Sequence, residues 1–158
     1  MTKNRVDDLD TFAQELQSEI LREAHARYGD LVIDHWMRPR NWGSLDEPDA
    51  SAQVTGSCGD TMWITLRVHG ATIVACRFTT DGCAAAIACG SVATELLLGK
   101  SLQAAARTTT TQILEALGGL PDSDRHCARL AAQTVQAAIR DHAARSLRRT
   151  SPRRSPGS

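Results

Sequence analysis

An α+β fold follows from three features of the chain: a helical periodicity near the N-terminus, three short alternating segments in the middle, and a series of helical periodicities after Gly82. Strands that follow one another this closely pair as an antiparallel meander, and the flanking helices have one sheet face to cover. The predicted architecture is a small three-stranded antiparallel sheet packed on one face by helices, with an extra N-terminal helix.

Between Asp8 and Ala26, the residues Leu9, Phe12, Ala13, Leu16, Ile20 and Ala24 recur at helical spacing and make one apolar stripe, read as core or as a self-association face. Tyr28, Leu31, Val32 and His35 to Trp36 form a second helical pattern that stops before Pro39, whose ring disfavours helix at the preceding residue. His35 falls on the apolar face and reads as a structural histidine. Pro39, Asn41, Gly43, Pro48 and Asp49 supply turn chemistry between Arg38 and Ala50. Ala52 to Thr55 is a short strand. Met62, Ile64, Leu66 and Val68 then alternate with Trp63, Thr65 and Arg67, and after a turn at His69 and Gly70 the returning strand alternates through Thr72, Val74, Cys76 and Phe78. A long helix from Ala84 to Leu98 stops at Gly99. Short helices are expected at Leu102 to Ala106 and Gln112 to Leu117, the latter capped by Thr110 or Thr111. The last helix carries Leu130, Ala131, Thr134, Val135, Ala138 and Ile139 on one stripe, with Asp122, Ser123 and Asp124 as cap candidates.

The 158 residues suit one compact domain with appendages: a helical extension at 1–27, a folded unit at 28–144, and an Arg-rich tail at 145–158 that is expected to be disordered. The formal net charge of zero is an average, because Arg145, Arg148, Arg149, Arg153 and Arg154 stand in a stretch without acids and leave a body of 13 Lys and Arg against 18 Asp and Glu. A mildly acidic body excludes a basic nucleic-acid face. The tail reads as a solvated terminus. No apolar stretch approaches the roughly 20 residues of a membrane span, and Asp7, Asp8 and Asp10 stand where a signal peptide needs a positive start. The expectation is a cytoplasmic protein. In a reducing compartment its five cysteines are buried packing groups, metal ligands or reactive thiols rather than disulfides.

Three segments carry soft or borderline metal ligands: Ser57-Cys58-Gly59-Asp60, Asp81-Gly82-Cys83 and His126-Cys127. Each stands at an element boundary, in the loop entering the second strand, at the start of the long helix, and in the first turn of the last helix. Exposed amides and the positive end of the helix dipole favour a thiolate, so Cys83 and Cys127 are expected to be the more acidic thiols. Three thiolates with an imidazole suit zinc or an iron–sulfur cluster, and Asp60 offers a harder oxygen. Cys76 and Cys89 read as packing thiols.

The stretch from Tyr28 to Ala144 resembles the iron–sulfur cluster scaffold family of NifU N-terminal and IscU type. The resemblance rests on Val32-Ile33-Asp34-His35-Trp36, Arg38-Pro39-Arg40-Asn41-Trp42-Gly43, Gly56-Ser57-Cys58-Gly59-Asp60, Arg77-Phe78-Thr79-Thr80-Asp81-Gly82-Cys83, Ala86-Ile87-Ala88, Thr94-Glu95, Gly99-Lys100-Ser101 and His126-Cys127. It implies a SufE/NifU-like architecture and a carrier rather than an enzyme. On such a scaffold a [2Fe–2S] cluster is assembled from iron and from persulfide sulfur delivered by a cysteine desulfurase, then passed to recipient apo-iron–sulfur proteins. Cys58, Cys83 and Cys127 would be ligands and sulfur acceptors, with His126 or Asp60 near the fourth position and Asp60 keeping the cluster labile. The chain departs from the family in Ala84-Ala85, where Gly-Ser is common, and in Leu120-Pro121-Asp122-Ser123-Asp124-Arg125, where IscU-type members carry a Leu-Pro-Pro-Val-Lys chaperone motif. The alternatives are a zinc-bound sulfur carrier of the same fold and a structural zinc-stapled binding module. A homo-oligomer is compatible with each of them; nucleic acid and membrane are not expected partners.

Overall fold

The computed structural model describes residues 3–150. Its elements are α1 (Lys3–Arg27), α2 (Asp30–Met37), β1 (Ala50–Thr55), β2 (Thr61–His69), β3 (Thr72–Thr80), α3 (Ala84–Leu97), α4 (Leu102–Ala106), α5 (Thr110–Ala116) and, after a 3-10 turn at Asp122–Asp124, α6 (Arg125–Thr150). The sheet is an antiparallel meander in the order β1-β2-β3. α6 lies across β1 and β2, α3 lies on β3, and α2 packs on α3.

Alternation makes the sheet two-faced. Met62, Ile64 and Leu66 of β2 and Ile73, Cys76 and Phe78 of β3 are buried beneath α3 and α6, while Trp63 and Arg67 face outward. The helices present small residues to this layer, chiefly Ala85, Ala88 and Ala93 from α3 and Ala128, Ala131 and Ala138 from α6, so they come close to the strands. The closest approach is at Gly90, where an added Cβ would stand 2.3 Å from the Phe78 ring. On the other side Trp42 meets Phe78 edge to face at 5.2 Å, and Asn41 and Gly43 exchange backbone hydrogen bonds with Phe78, so the turn-rich segment covers the free edge of β3.

Five details differ from the sequence expectation. Arg67 pairs with Ala75 and Val68 with Ile73, which leaves Val74 unpaired as a bulge. The extra residue shifts the alternation, so Ile73 is buried and Val74 points outward. α5 is capped by Thr109 instead of Thr110 or Thr111, in a reciprocal capping box with Gln112. The apolar stripe of α1 is not core: Leu9, Phe12, Leu16 and Ile20 are all exposed. The helix touches the body mainly through its C-terminal end and α2. Finally, α6 continues to Thr150, so the first part of the tail expected to be disordered is helical. Arg145 is fixed there by Asp141 at 2.9 Å and donates to the Pro48 carbonyl and Ser51 hydroxyl. Arg153 and Arg154 lie outside the described residues. Among the described residues no helix is long and apolar enough to cross a membrane.

α3 is held in rotation by a buried polar group. Ser91 Oγ accepts from the Arg40 backbone amide at 2.8 Å and shares a hydrogen bond with His35 Nδ1 at 2.7 Å. His35 Nε2 then faces the Glu95 carboxylate at 3.8 Å. Burial, and then the Arg40 charge, push the His35 imidazole below its ordinary value, against the opposing pull of Glu95 and Asp34. The two arginines Arg40 and Arg38 hold Asp34 ionised, down to about 2. Asn41 Nδ2 donates to Thr94 Oγ1 at 3.1 Å and completes the seam.

Two outcomes follow for stability. Gly90→Ala pushes a methyl into the Phe78 ring and should cost about 1–3 kcal/mol, the usual penalty of overpacking, read as a lower thermal midpoint; an unchanged midpoint would mean that α3 is free to move off the sheet. Because the folded protein holds His35 neutral while the unfolded chain binds a proton near pH 6.5, this group weakens folding as pH falls below that value. The midpoint loss between pH 7.5 and 5.5 (about two units spanning the unperturbed value) should be larger in the wild type than in His35→Gln. Equal losses would show that another group titrates.

Candidate metal and sulfur site

The three ligand-bearing segments converge at the end of the sheet where β2 begins and β3 ends. The β1–β2 connection turns within Gly56–Asp60: the Gly56 amide donates to the Asp60 carbonyl at 2.8 Å and the Gly59 amide to the Gly56 carbonyl at 3.0 Å. Gly59 takes φ +89°, a conformation that residues with a side chain rarely adopt. This places Cys58 at the exposed tip and leaves Asp60 half-buried behind it.

The β3–α3 turn is stitched to the start of β2. Thr80 donates its hydroxyl to the Thr61 carbonyl at 2.7 Å, the Asp81 carboxylate accepts the Thr61 amide at 2.7 Å, and the Gly82 amide donates to Thr80 Oγ1 at 3.1 Å. Cys83 follows as the N-cap of α3, exposed and with no side-chain capping bond. Gly82 is where the two loops touch: a Cβ there would stand 2.9 Å from Asp60 Oδ2 and 2.6 Å from the Ala86 methyl.

The third segment is the start of α6. His126 is half-buried and Cys127 is buried in the first turn, with His126 Nε2 at 3.5 Å from Cys127 Sγ. Just before them, the buried Asp124 carboxylate accepts from the Arg27 guanidinium at 2.9 Å and from the Tyr28 hydroxyl at 2.8 Å. Burial, and then the bond to Asp124, push the Tyr28 phenol up to about 12, so it remains a donor.

All five residues singled out in the sequence meet here. Ligand atoms of Cys58, Asp60 and His126 lie within 4.8 Å of one another, as do those of Asp60, Cys83 and Cys127, so the carboxylate is common to both groups. Three sulfurs, one imidazole and one carboxylate match iron, zinc or an iron–sulfur cluster in softness. The expectation for Cys127 needs correction. Burial, and then the charge of nearby Cys83, push its thiol up instead of down, because its side chain lies inside α6's packing surface rather than at an open helix end. Cys76 and Cys89 are buried, as expected for packing thiols. Burial raises Cys76 to about 12, and for Cys89 burial and the adjacent Cys127 and Cys83 act in the same direction.

Sequence reasoning missed three contributors. Gly82 stands inside a quoted motif, but its need to be bare depends on the approach of Asp60 from another loop. Asp81 and Asp124 look like turn and cap residues, and neither the Thr61 amide nor the Arg27 guanidinium is near them in sequence. A groove of about 480 Å³ on the outer sheet face beside Trp63 and Gln53 is lined by no His, Cys, Asp or Glu. A smaller cleft of about 150 Å³, lined by Ser57, His126, Arg129 and Gln133, adjoins the ligand cluster.

Comparison with known proteins agrees with this geometry. An iron-sulfur cluster assembly scaffold protein IscU of Archaeoglobus fulgidus is 43% identical over 116 residues, 73% of this chain and 76% of that protein. The IscU scaffold protein of Azotobacter vinelandii is 42% identical over 120 residues, 73% of this chain and 93% of the relative. Among solved structures, the N-terminal NifU-like protein of Brucella abortus superposes with a TM-score of 0.58 at 22% identity, over 73% of this chain and 94% of that one, and shares the fold. The family model described as NifU-like N terminal domain matches residues 27–149, and the chain belongs to that family.

Proposed function

We propose that this protein is a scaffold on which an iron–sulfur cluster is built and from which it is handed on, a carrier rather than a turnover enzyme. The observation that carries the reading is the convergence of Cys58, Cys83, Cys127, His126 and Asp60 from three separate segments around one shared carboxylate. Relatives at about 40% identity that are named as cluster assembly scaffolds support it.

The finer chemistry is part of the proposal. A cysteine desulfurase presents a persulfide; a scaffold thiolate attacks its outer sulfur, the S–S bond to the desulfurase breaks, and the desulfurase thiolate leaves. Reduction of the transferred sulfur to sulfide takes two electrons from an external low-potential donor. Cys58 and Cys83 are exposed to such a donor of sulfur, while Cys127 is buried. With iron, the three thiolates and either His126 or Asp60 hold a [2Fe–2S] unit. Asp60 is a hard oxygen among soft donors and exchanges readily, which suits release to recipient apo-iron–sulfur proteins. Free thiols in this number suit a reducing, cytoplasmic setting.

The same donors favour zinc as a second reading, since a tetrahedral site of thiolates with imidazole or carboxylate is a zinc site. A zinc-bound sulfur carrier of the same fold would use the same residues. A purely structural staple is less well supported, because one continuous core joins the sheet and the helices, and of the five candidate ligands only Cys127 belongs to it.

Anaerobic incubation with ferrous iron, cysteine and a desulfurase should produce visible sulfide-to-iron charge-transfer absorption, with iron and acid-labile sulfide in equal amounts, and each Cys→Ser change at 58, 83 or 127 should abolish it. A spectrum silent above the protein band would favour the zinc reading. Asp60→Ala should lengthen the lifetime of the absorption during transfer to an apo-protein, and a lifetime unchanged or shortened would remove Asp60 from the release step. Gly82→Ala, which forces the Asp60 carboxylate away, should shift the lifetime in the same direction as Asp60→Ala while leaving the far-ultraviolet dichroism intact.

A further inference from the structure

The contacts between the end of the N-terminal extension and the start of α6 have no part in the chemistry above. α1 otherwise stands clear of the body, yet its last residue, Arg27, reaches Asp124, a residue 97 positions away. The guanidinium makes a forked contact, Nε to Oδ2 at 3.2 Å and Nη2 to Oδ1 and Oδ2 at 3.1 and 2.9 Å, and Nη2 also donates to Ser123 Oγ at 3.1 Å. Tyr28 donates to Oδ2 from the same side, and the guanidinium lies 5.4 Å from the centre of the Tyr28 ring. Asp124 is only 6% exposed, so these donors satisfy its carboxylate in place of water. Its amide donates to the Pro121 carbonyl and closes the 3-10 turn. His126 and Cys127 are the second and third residues after it, and Cys127, Ala128 and Leu130 are buried in the core.

We infer that Arg27, Tyr28 and Asp124 form a positioning clamp for the His126–Cys127 turn, and that the extension thereby sets the geometry in which these two ligands meet a metal. The inference rests on the ligand set proposed above. The core holds α6 from Cys127 onward, and the turn that leads into it, with His126, is held from outside by the clamp. A forked Arg–carboxylate pair fixes direction as well as distance, which a single hydrogen bond does not. The segment before His126 is thus engaged by the end of this chain's own N-terminal helix.

The test uses the full chain and cobalt(II), whose thiolate charge-transfer and ligand-field absorption report both affinity and geometry without any desulfurase. Asp124→Asn and Arg27→Gln should each lower cobalt affinity about tenfold, in the range seen when outer partners of metal ligands are removed, and should alter the ligand-field pattern. The double variant should be no weaker than either single one, because both remove the same contact, and Arg27→Lys should restore part of the affinity. Thermal midpoints are measured alongside. If a single variant is destabilised by its unpaired buried charge, the neutral double variant decides, since it leaves none. Wild-type affinity and an unaltered spectrum in the folded double variant would overturn the clamp. Absence of cobalt binding by the wild type would instead overturn the ligand set itself.

Discussion

The contact of the Phe78 ring with the bare backbone of Gly90 is the constraint on which the rest of the structure depends. It sets how near α3 lies to β3, and Cys83 stands about two helical turns before Gly90 on the same rigid rod. Any change in that spacing is therefore carried to the N-terminus of α3, where the ligand is. α6 is held in the same way by Ala128, Ala131 and Ala138. Met62 pairs with Thr80, so the loop that enters β2 and the turn that leaves β3 share one end of the sheet. Packing in the core thus brings three distant segments to one edge, and the ligand cluster is the result of the fold rather than its cause.

Within the cluster the donors are graded in both softness and exposure. Cys58 and Cys83 form the rim, Cys127 the floor, and Asp60 lies between them within reach of both ligand groups. A site meant to keep its metal would place soft donors all round and bury them. Here the shared donor is the hardest of the set, and it is confined by the bare Cα of Gly82 on one side. This grading fits the proposed role of a seat that a cluster can occupy and leave.

Much of this was legible in the sequence where the signal is local. The meander, the long helix after Gly82 and the five candidate ligands at element boundaries, which the fold brings together, all follow from alternation, helical spacing and motif. What was not legible depends on events between distant residues. The bulge at Val74 arises from pairing with Arg67 and Val68, and nothing within β3 itself announces it. Thr109 wins the cap of α5 because Gln112 returns its hydrogen bond, a choice among three adjacent threonines decided by geometry. The α1 stripe has a helix's period, but among the described residues no surface covers it. Cys127 occupies a helix start that favours a thiolate, and its burial outweighs the local dipole.

A helix as rich in small residues as α3 has a further problem, because alanine and glycine fill space without defining an angle. Apolar contact alone leaves such a helix free to turn about its axis, and a turn of even a fraction of a residue would aim Cys83 away from Asp60. The buried seam of His35, Ser91, Arg40, Asn41 and Thr94 supplies the missing direction. Buried polar groups of this kind add little net stability and their best-attested use is to select one arrangement among several that pack equally well. The Asp124 contacts act on the same principle at the start of α6. Both helices that carry candidate ligands are thus placed by apolar packing and aimed by polar contacts with the segments that precede the sheet.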